Sequence, residues 1–200
     1  FWDIGSNIGL YSVYAAATIE NIEVISFEPS TSNLRILSRN ISINNLEKKI
    51  KIFQLPLGLN KNKFLEFSER KFNEGESHNS LDKKINFEGK KLDPKNSYQV
   101  LSTNIDQIID DKILDIPNYI KIDVDGIEHL ILKGGIKLFK NTQISEIQIE
   151  INENYSEQFN SVMQIMNECM FKFKEKKRND SKGYYLDHKF SKIYNYYFVR

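Results

Sequence analysis

The chain opens with a strand that runs directly into a glycine turn. Phe1-Trp2-Asp3-Ile4 is short, aromatic and apolar, Gly5-Ser6-Asn7-Ile8-Gly9 follows, and Leu10 to Ala17 has the composition of a helix. A strand, tight turn and helix in that order build a parallel sheet, because parallel neighbours need a crossover that a helix supplies. The unit then recurs. Ile22 to Glu28 is a second apolar strand, stopped by Pro29. Ser30 or Thr31 can cap a helix with Leu34, Leu37 and Ile41 on one stripe, and Ile50 to Leu55 reads as a third strand. The alternation predicts an α/β fold with helices on both faces of a mostly parallel sheet.

Residues 58 to 97 break the pattern, being rich in Lys, Asn, Glu and Ser with Phe64, Phe67, Phe72 and Phe87 scattered among them. A structureless loop of that length is unusual inside one domain. A variable insertion made of short edge strands or a lid, anchored by some of the aromatics, is expected. The alternation resumes with a short helix from Asn104 to Ile109 and a fourth strand from Tyr119 to Val124. A helix from Ile127 to Phe139, interrupted near Gly134-Gly135, then leads to a fifth strand from Ile144 to Ile151. From Glu157 to Met170, the residues Phe159, Val162, Met163, Met166 and Met170 fall on one helical stripe, which predicts core packing. Phe171 to Phe173 and Tyr194 to Val199 read as two closing strands of a hairpin. The basic run Lys172, Lys174, Lys176, Lys177 and Arg178 reads as a solvated edge and turn.

Two hundred residues suit one domain spanning 1–200, and 40% hydrophobic content is enough for its core. Lys plus Arg is 28 and Asp plus Glu is 27, so the net charge of +1 supplies no bulk field for a polyanion, and no nucleic-acid partner is expected. The longest apolar run, Val13 to Ala17, falls far short of the ~20 residues of a membrane helix. Cys169 is the single cysteine and lies on the apolar side of a helix, so a buried thiol in a reducing, cytoplasmic compartment is expected. His78, His129 and His188 lie far apart and no C-x-x-C occurs, so no metal centre is expected. Phe1 begins inside a strand, so the natural amino terminus is expected to lie upstream.

Ligands of open parallel sheets sit beyond the carboxyl ends of the strands. Those ends carry Asp3 with Gly5 and Gly9, then Glu28, Leu57-Gly58, Asp123 with Asp125, and Glu150 with Asn152. Gly5 and Gly9 flank a turn that can offer backbone N–H groups at a helix start. Glu28, at the tip of the second strand, is positioned to accept hydrogen bonds from two ribose hydroxyls. That pairing fits a dinucleotide or a nucleoside sulfonium. The dinucleotide fingerprint G-x-G-x-x-G is broken by Asn7 at its middle glycine. With Asp3 and Asp123 on neighbouring strands, a pyrophosphate meets like charge, at a few kcal/mol per pair for ~4 Å and an effective dielectric of ~20. A sulfonium carrying an ammonium group gains instead, so the crevice is expected to take a cation.

Three blocks in consistent order resemble the FkbM-type S-adenosylmethionine-dependent methyltransferases. They are Phe1 to Ser12, Ser26-Phe27-Glu28-Pro29 followed by Asn33 and Asn40, and Tyr119-Ile120-Lys121-Ile122-Asp123-Val124-Asp125-Gly126-Ile127-Glu128 with Gly134 downstream. Tyr194 to Val199 resembles the family's last strand. The resemblance implies a class I methyltransferase fold, a Rossmann-like three-layer sandwich with a seven-stranded, mostly parallel sheet and one antiparallel strand. Carried over, Asp3, Gly5 and Gly9, with Asn7 in the same turn, would bind the methionine part of S-adenosylmethionine. Glu28 would hold the ribose, Leu57 and Gly58 would approach the adenine, and Asp123 would face the reactive end. The family implies O-methylation of a hydroxyl on a sugar or other small metabolite. Asp125 stands where the family generally has Glu, and Asn104-Ile105-Asp106 replaces the more usual Thr-Leu-Asp.

Methyl transfer to a hydroxyl needs collinear positioning and a base within about 3 Å of the leaving proton. Asp123 is the first candidate for the active centre and Glu128 the second, with Asp125 and His129 beside them. Glu128 can alternatively serve the helix dipole in the first turn. Glu150 reaches toward the same crevice or accepts backbone hydrogen bonds. A nicotinamide-dependent oxidoreductase is disfavoured by Asn7 and the crowded carboxylates, and a non-catalytic binding domain by the intact Asp3, Gly5, Gly9, Glu28 and Asp123.

Overall fold

The computed structural model describes residues 1–71, 73–77, 79–82, 85–91, 93–178 and 191–200, so Phe72, His78 and His188 lie outside the described residues. The alternation gives β1 (Trp2–Ile4), α1 (Leu10–Thr18), β2 (Val24–Phe27), α2 (Thr31–Ile43) and β3 (Ile50–Phe53). After the insertion come α3 (Ile105–Asp110), β7 (Tyr119–Ile122), α4 (Glu128–Lys133), α5 (Ile136–Phe139), β8 (Glu146–Asn152) and α6 (Ser156–Glu168). Strands β9 (Lys172–Lys177) and β10 (Ile193–Val199) close the chain.

Seven of these strands form one sheet in the order β3-β2-β1-β7-β8-β10-β9, parallel from β3 to β8, with β10 antiparallel to both neighbours. Order reverses between β1 and β7, which opens the crevice there. Trp2, Ile4, Phe27 and the alternate residues of β7 and β8 pack against α3 to α6, while Val24, Ile50 and Ala16 pack with Leu37 and Ile41 of α2 on the opposite face. Tilted rings link the first three strands, Trp2 to Phe27 at 5.2 Å and Phe27 to Phe53 at 5.0 Å.

Local chemistry sets the boundaries. Ser30, not Thr31, caps α2, and the Asn104 carboxamide caps α3 by accepting from Gln107 N–H at 2.9 Å. The expected long helix breaks into α4 and α5 at Gly134-Gly135. A Cβ at Gly134 would lie 2.3 Å from the Gly58 carbonyl oxygen, so the close approach of the two backbones requires glycine there. Met170 departs from the expected stripe. It adopts a left-handed φ of 64° just beyond α6 and is exposed, whereas Cys169 beside it is buried. The basic run forms β9 itself, so the strand extends to Lys177 and holds the solvated edge of the sheet.

The insertion differs from an edge of the main sheet. It contributes β4 (Lys63–Glu69), β5 (Ser80–Leu81) and β6 (Asn96–Ser102), which pair with one another in the order β5-β4-β6. Leu65, Phe67 and Leu81 pack on Ile127 at the start of α4, and this seats the small sheet over the carboxyl ends of the large one. No helix among the described residues is long and apolar enough to cross a membrane.

Candidate functional site

Between the two sheets lies an open cleft enclosing about 630 Å³ including its mouth. Gly5, Asn7, Glu28, Leu57, Asp123 and Asp125 line it. Asp3, Gly9, Gly58 and Glu128 are not on its wall, and each has a different task.

Asp3 is fully buried and accepts from the Ser12 hydroxyl at 2.6 Å, which in turn accepts from Ser26 at 2.6 Å. Its other oxygen is 3.5 Å from the Lys121 ammonium, and Lys121 also stands 3.1 Å from Asp123. Asp3 therefore ties α1 to the sheet and neutralises a buried lysine; it does not face a ligand. This corrects the expectation of two bare carboxylates confronting the ligand, since one ammonium lies between them. Burial pushes the Lys121 ammonium down, but Asp123 and Asp3 together outweigh it and hold the group above the ordinary lysine value. The Tyr11 ring, 4.8 Å away, adds a cation–π contact. Sequence reasoning passes over Lys121; its signal is a lysine between Ile120 and Ile122 in an apolar strand.

The glycine turn is also more self-contained than expected. Gly5 and Ser6 N–H groups both donate to the Phe27 carbonyl, at 3.1 and 3.0 Å, and Gly9 N–H donates to Ser6. Gly5, at φ +80°, is required by a close approach: a Cβ there would lie 1.8 Å from the Asp123 carbonyl oxygen. Gly9 faces Leu37 in the core of α2 instead of the cleft.

Glu28 is buried at the cleft wall and accepts from Asn7 N–H at 2.8 Å and Ser30 N–H at 2.9 Å. Burial raises its carboxyl to about 7 against the pull of those two donors. Asn33 donates to it as well, and one oxygen keeps a further lone pair for a ligand hydroxyl. Asn7 does more than the sequence suggests, because its carboxamide donates to the carbonyls of Gly75 at 3.4 Å and Glu76 at 3.3 Å. Asn33 holds the same segment, accepting from Gly75 N–H at 2.9 Å and donating to the Glu76 carbonyl at 3.2 Å. Glu69 of β4 completes the tie by accepting from Ser30 at 2.7 Å. The insertion is thus fastened to the two loops that carry Asn7 and Glu28.

Across the cleft, Asp123 is partly exposed and follows β7. Lys121 faces Gln148 and Ile122 faces Ile149 in register, so the next step sets Asp123 beside Glu150. Removal from water, followed by the nearby Asp123, Asp125 and Glu128 carboxylates, pushes Glu150 well above the ordinary range. Asp125 adopts a left-handed φ of 61°, a conformation that Asp tolerates better than a longer side chain.

Glu128 is buried and accepts from Val124 N–H at 3.0 Å, Gly126 N–H at 3.1 Å and the Gln158 carboxamide. It holds the backbone of the Asp123–Asp125 loop and is shut off from any substrate, which corrects its placement as a base. His129 points away as well, edge-on to Tyr155 at 5.8 Å and 3.8 Å from Glu157. Among the described residues no group of His, Cys, Asp and Glu has the arrangement of a metal site.

A model of the FkbM methyltransferase domain matches residues 3–173. The chain belongs to the FkbM methyltransferase family. This FkbM domain is similar in fold to a methyltransferase FkbM from Methylobacillus flagellatus KT, with TM-score 0.64 and 16% identity, covering 100% of this chain and 42% of that one. It is similar also to a precorrin-6y C5,15-methyltransferase from Geobacter metallireducens GS-15, with TM-score 0.53 and 10% identity over 100% and 78% of the two chains. Similarity extends to M. capricolum TrmK in complex with S-adenosylhomocysteine, with TM-score 0.53 and 11% identity over 99% and 60%. The FkbM domain thus spans less than half the length of its Methylobacillus relative. No curated protein matches it.

Proposed function

We propose that this FkbM domain binds S-adenosylmethionine in the cleft and methylates a hydroxyl of a sugar or other small metabolite. The observation that carries the reading is the buried Glu28 carboxyl, fixed by two backbone donors on the wall of an open cleft with Asp123 opposite. Glu28 would hold the ribose hydroxyls, Asn7 would bound the cleft beside it, and Leu57 would flank the base. Asp123 and Asp125 would attract the cationic end. When bound, S-adenosylmethionine supplies an electrophilic methyl group on its sulfonium sulfur.

The chain's own part is orientation and proton transfer. Lys121 fixes Asp123, and Glu128 fixes the backbone on either side of Asp125, so acceptor contacts at that loop are preorganised. Glu150, next to Asp123 in the register of β7 and β8, would receive the hydroxyl proton in its ionised form. The residues that carry the acceptor side are therefore Asp123, Asp125 and Glu150, with Glu128 and Lys121 as positioning residues.

Calorimetric titration of the full-length protein tests the reading. Saturable binding of S-adenosylhomocysteine with no heat from NAD is expected; saturation by NAD alone would overturn it. Transfer of a labelled methyl group to a panel of sugars and small alcohols, with the product's linkage read by NMR, tests the acceptor. A methyl group found on nitrogen or carbon would reject the hydroxyl assignment.

A further inference from the structure

The two sheets end in the strands β3, β9, β5 and β6, and three of these edges are guarded against pairing with another chain. β3 is four residues long and carries Lys51. β5 has only two residues. β9 holds Lys172, Lys174, Lys176 and Lys177, charges that a partner strand would have to cover or oppose. β6 is different. It pairs only with β4 among the described residues and runs for seven residues, Asn96-Ser97-Tyr98-Gln99-Val100-Leu101-Ser102, without a charge or a proline. Ser97, Gln99 and Leu101 are exposed along it, so the strand is open to solvent.

An edge strand presents a row of backbone N–H and C=O groups that one further strand can complete. The residues of β6 suit a copy of themselves. With Gln99 on a twofold axis, two antiparallel β6 strands set Tyr98 opposite the second copy's Val100 and Val100 opposite its Tyr98, an aromatic ring against a β-branched side chain in both places. No like charges meet, because the strand carries none and the flanking Lys95 falls opposite Thr103. Leu101 is the register partner of Phe64 on β4, and both are exposed, so an apolar pair stands beside the edge where the new strand would lie. The join closes on itself, since the far edge of each inserted sheet is the two-residue β5.

We propose that this FkbM domain associates with a second copy of itself through β6, joining two inserted sheets of three strands into one of six, in the order β5-β4-β6-β6-β4-β5. Phe67 and Leu81 of the same small sheet line the cleft, so the roofs of two sites become parts of a single sheet. The contact is small for a specific interface, and a dissociation constant on the order of 10 µM is expected.

Sedimentation velocity of the full-length protein at concentrations from about 1 to about 200 µM tests the pairing. The wild type should pass from monomer to dimer across that range. Gln99→Lys and Gln99→Glu each set like charges face to face at the axis, and each should raise the dissociation constant at least about tenfold. Mixed in equal amounts, the two variants should associate again, because Lys then faces Glu. Gln99 is exposed in the single copy, so the melting curves of both variants should match that of the wild type. A wild type that stays monomeric throughout overturns the proposal and leaves the edge to an extended segment of another protein. A dimer that neither variant weakens overturns it as well, by placing the contact on another face, and growth into open-ended assemblies overturns the closed pairing.

Discussion

The Lys121 ammonium stands 3.1 Å from the Asp123 carboxylate and 3.5 Å from that of Asp3, joining the tip of β7 to the middle of β1 beneath the cleft. Asp3 and Lys121 are register partners on adjacent parallel strands, so the contact follows directly from the pairing of the two strands at which the order reverses. Both groups are buried, and neither can return to water without opening the sheet.

Removal of the cation should therefore unfold the protein more readily. Lys121→Met leaves Asp3 charged and enclosed, and removing one member of a buried pair costs about 3–5 kcal/mol. Urea denaturation should show a loss of that size, and adding Asp3→Asn to the same variant should recover more than half of it. A Lys121→Met variant as stable as the wild type would mean that the pair contributes nothing net.

Glu28 makes donor binding depend on pH. Its folded carboxyl titrates at about 7 against an ordinary 4.5 because burial disfavours the charge. The ligand-free folded state thus holds a proton that the unfolded chain has released, so its contribution to stability is full below about 4.5 and is lost as pH rises through about 7. Ribose hydroxyls donate to the carboxylate, so binding runs the other way and releases the proton. The dissociation constant for S-adenosylhomocysteine should fall about tenfold from pH 6 to pH 8. Calorimetry on Glu28→Gln should give weaker binding whose pH slope has disappeared.

Gly5→Ala should be far more damaging than substitution of a second left-handed glycine. At Gly5 a Cβ would meet the Asp123 carbonyl oxygen at 1.8 Å, and backbone has to move. At Gly75, with φ +76°, the nearest atom is Ile8 Cγ2 at 3.8 Å and only the conformational strain remains. Thermal melts should show a loss of about 1–2 kcal/mol for Gly75→Ala and of roughly 3 kcal/mol or more for Gly5→Ala, with donor binding lost in the latter.

The strands, the break in the helix and the place of the cleft were legible in the sequence because they follow from short-range signals. Alternating apolar runs mark the strands, Gly134-Gly135 marks the break in the helix, and acids and glycines at strand ends mark the cleft. Side-chain partners were not legible, since they depend on register between distant segments. Asp3, Glu128 and His129 look equally available when read as letters, yet pairing sends Asp3 to Lys121, Glu128 to the Val124 and Gly126 N–H groups, and His129 to Tyr155. The insertion resisted reading for the same reason. Its strands pair only among themselves, and its attachment through Asn7, Asn33 and Ser30 uses single polar contacts that leave no periodic trace.

A substitution at Glu128 separates support of the loop from proton transfer. The carboxylate takes two backbone N–H groups and the Gln158 carboxamide, all of which are donors. Glu128→Gln keeps the shape but turns one acceptor into a donor, so at least one buried N–H loses its partner at a cost of about 1–3 kcal/mol. The melting temperature and the affinity for S-adenosylhomocysteine should both fall, because Gly126 and the Asp125 turn are released together. If Glu128 instead removed the substrate proton, the same substitution would leave stability and donor affinity unchanged and abolish methyl transfer alone.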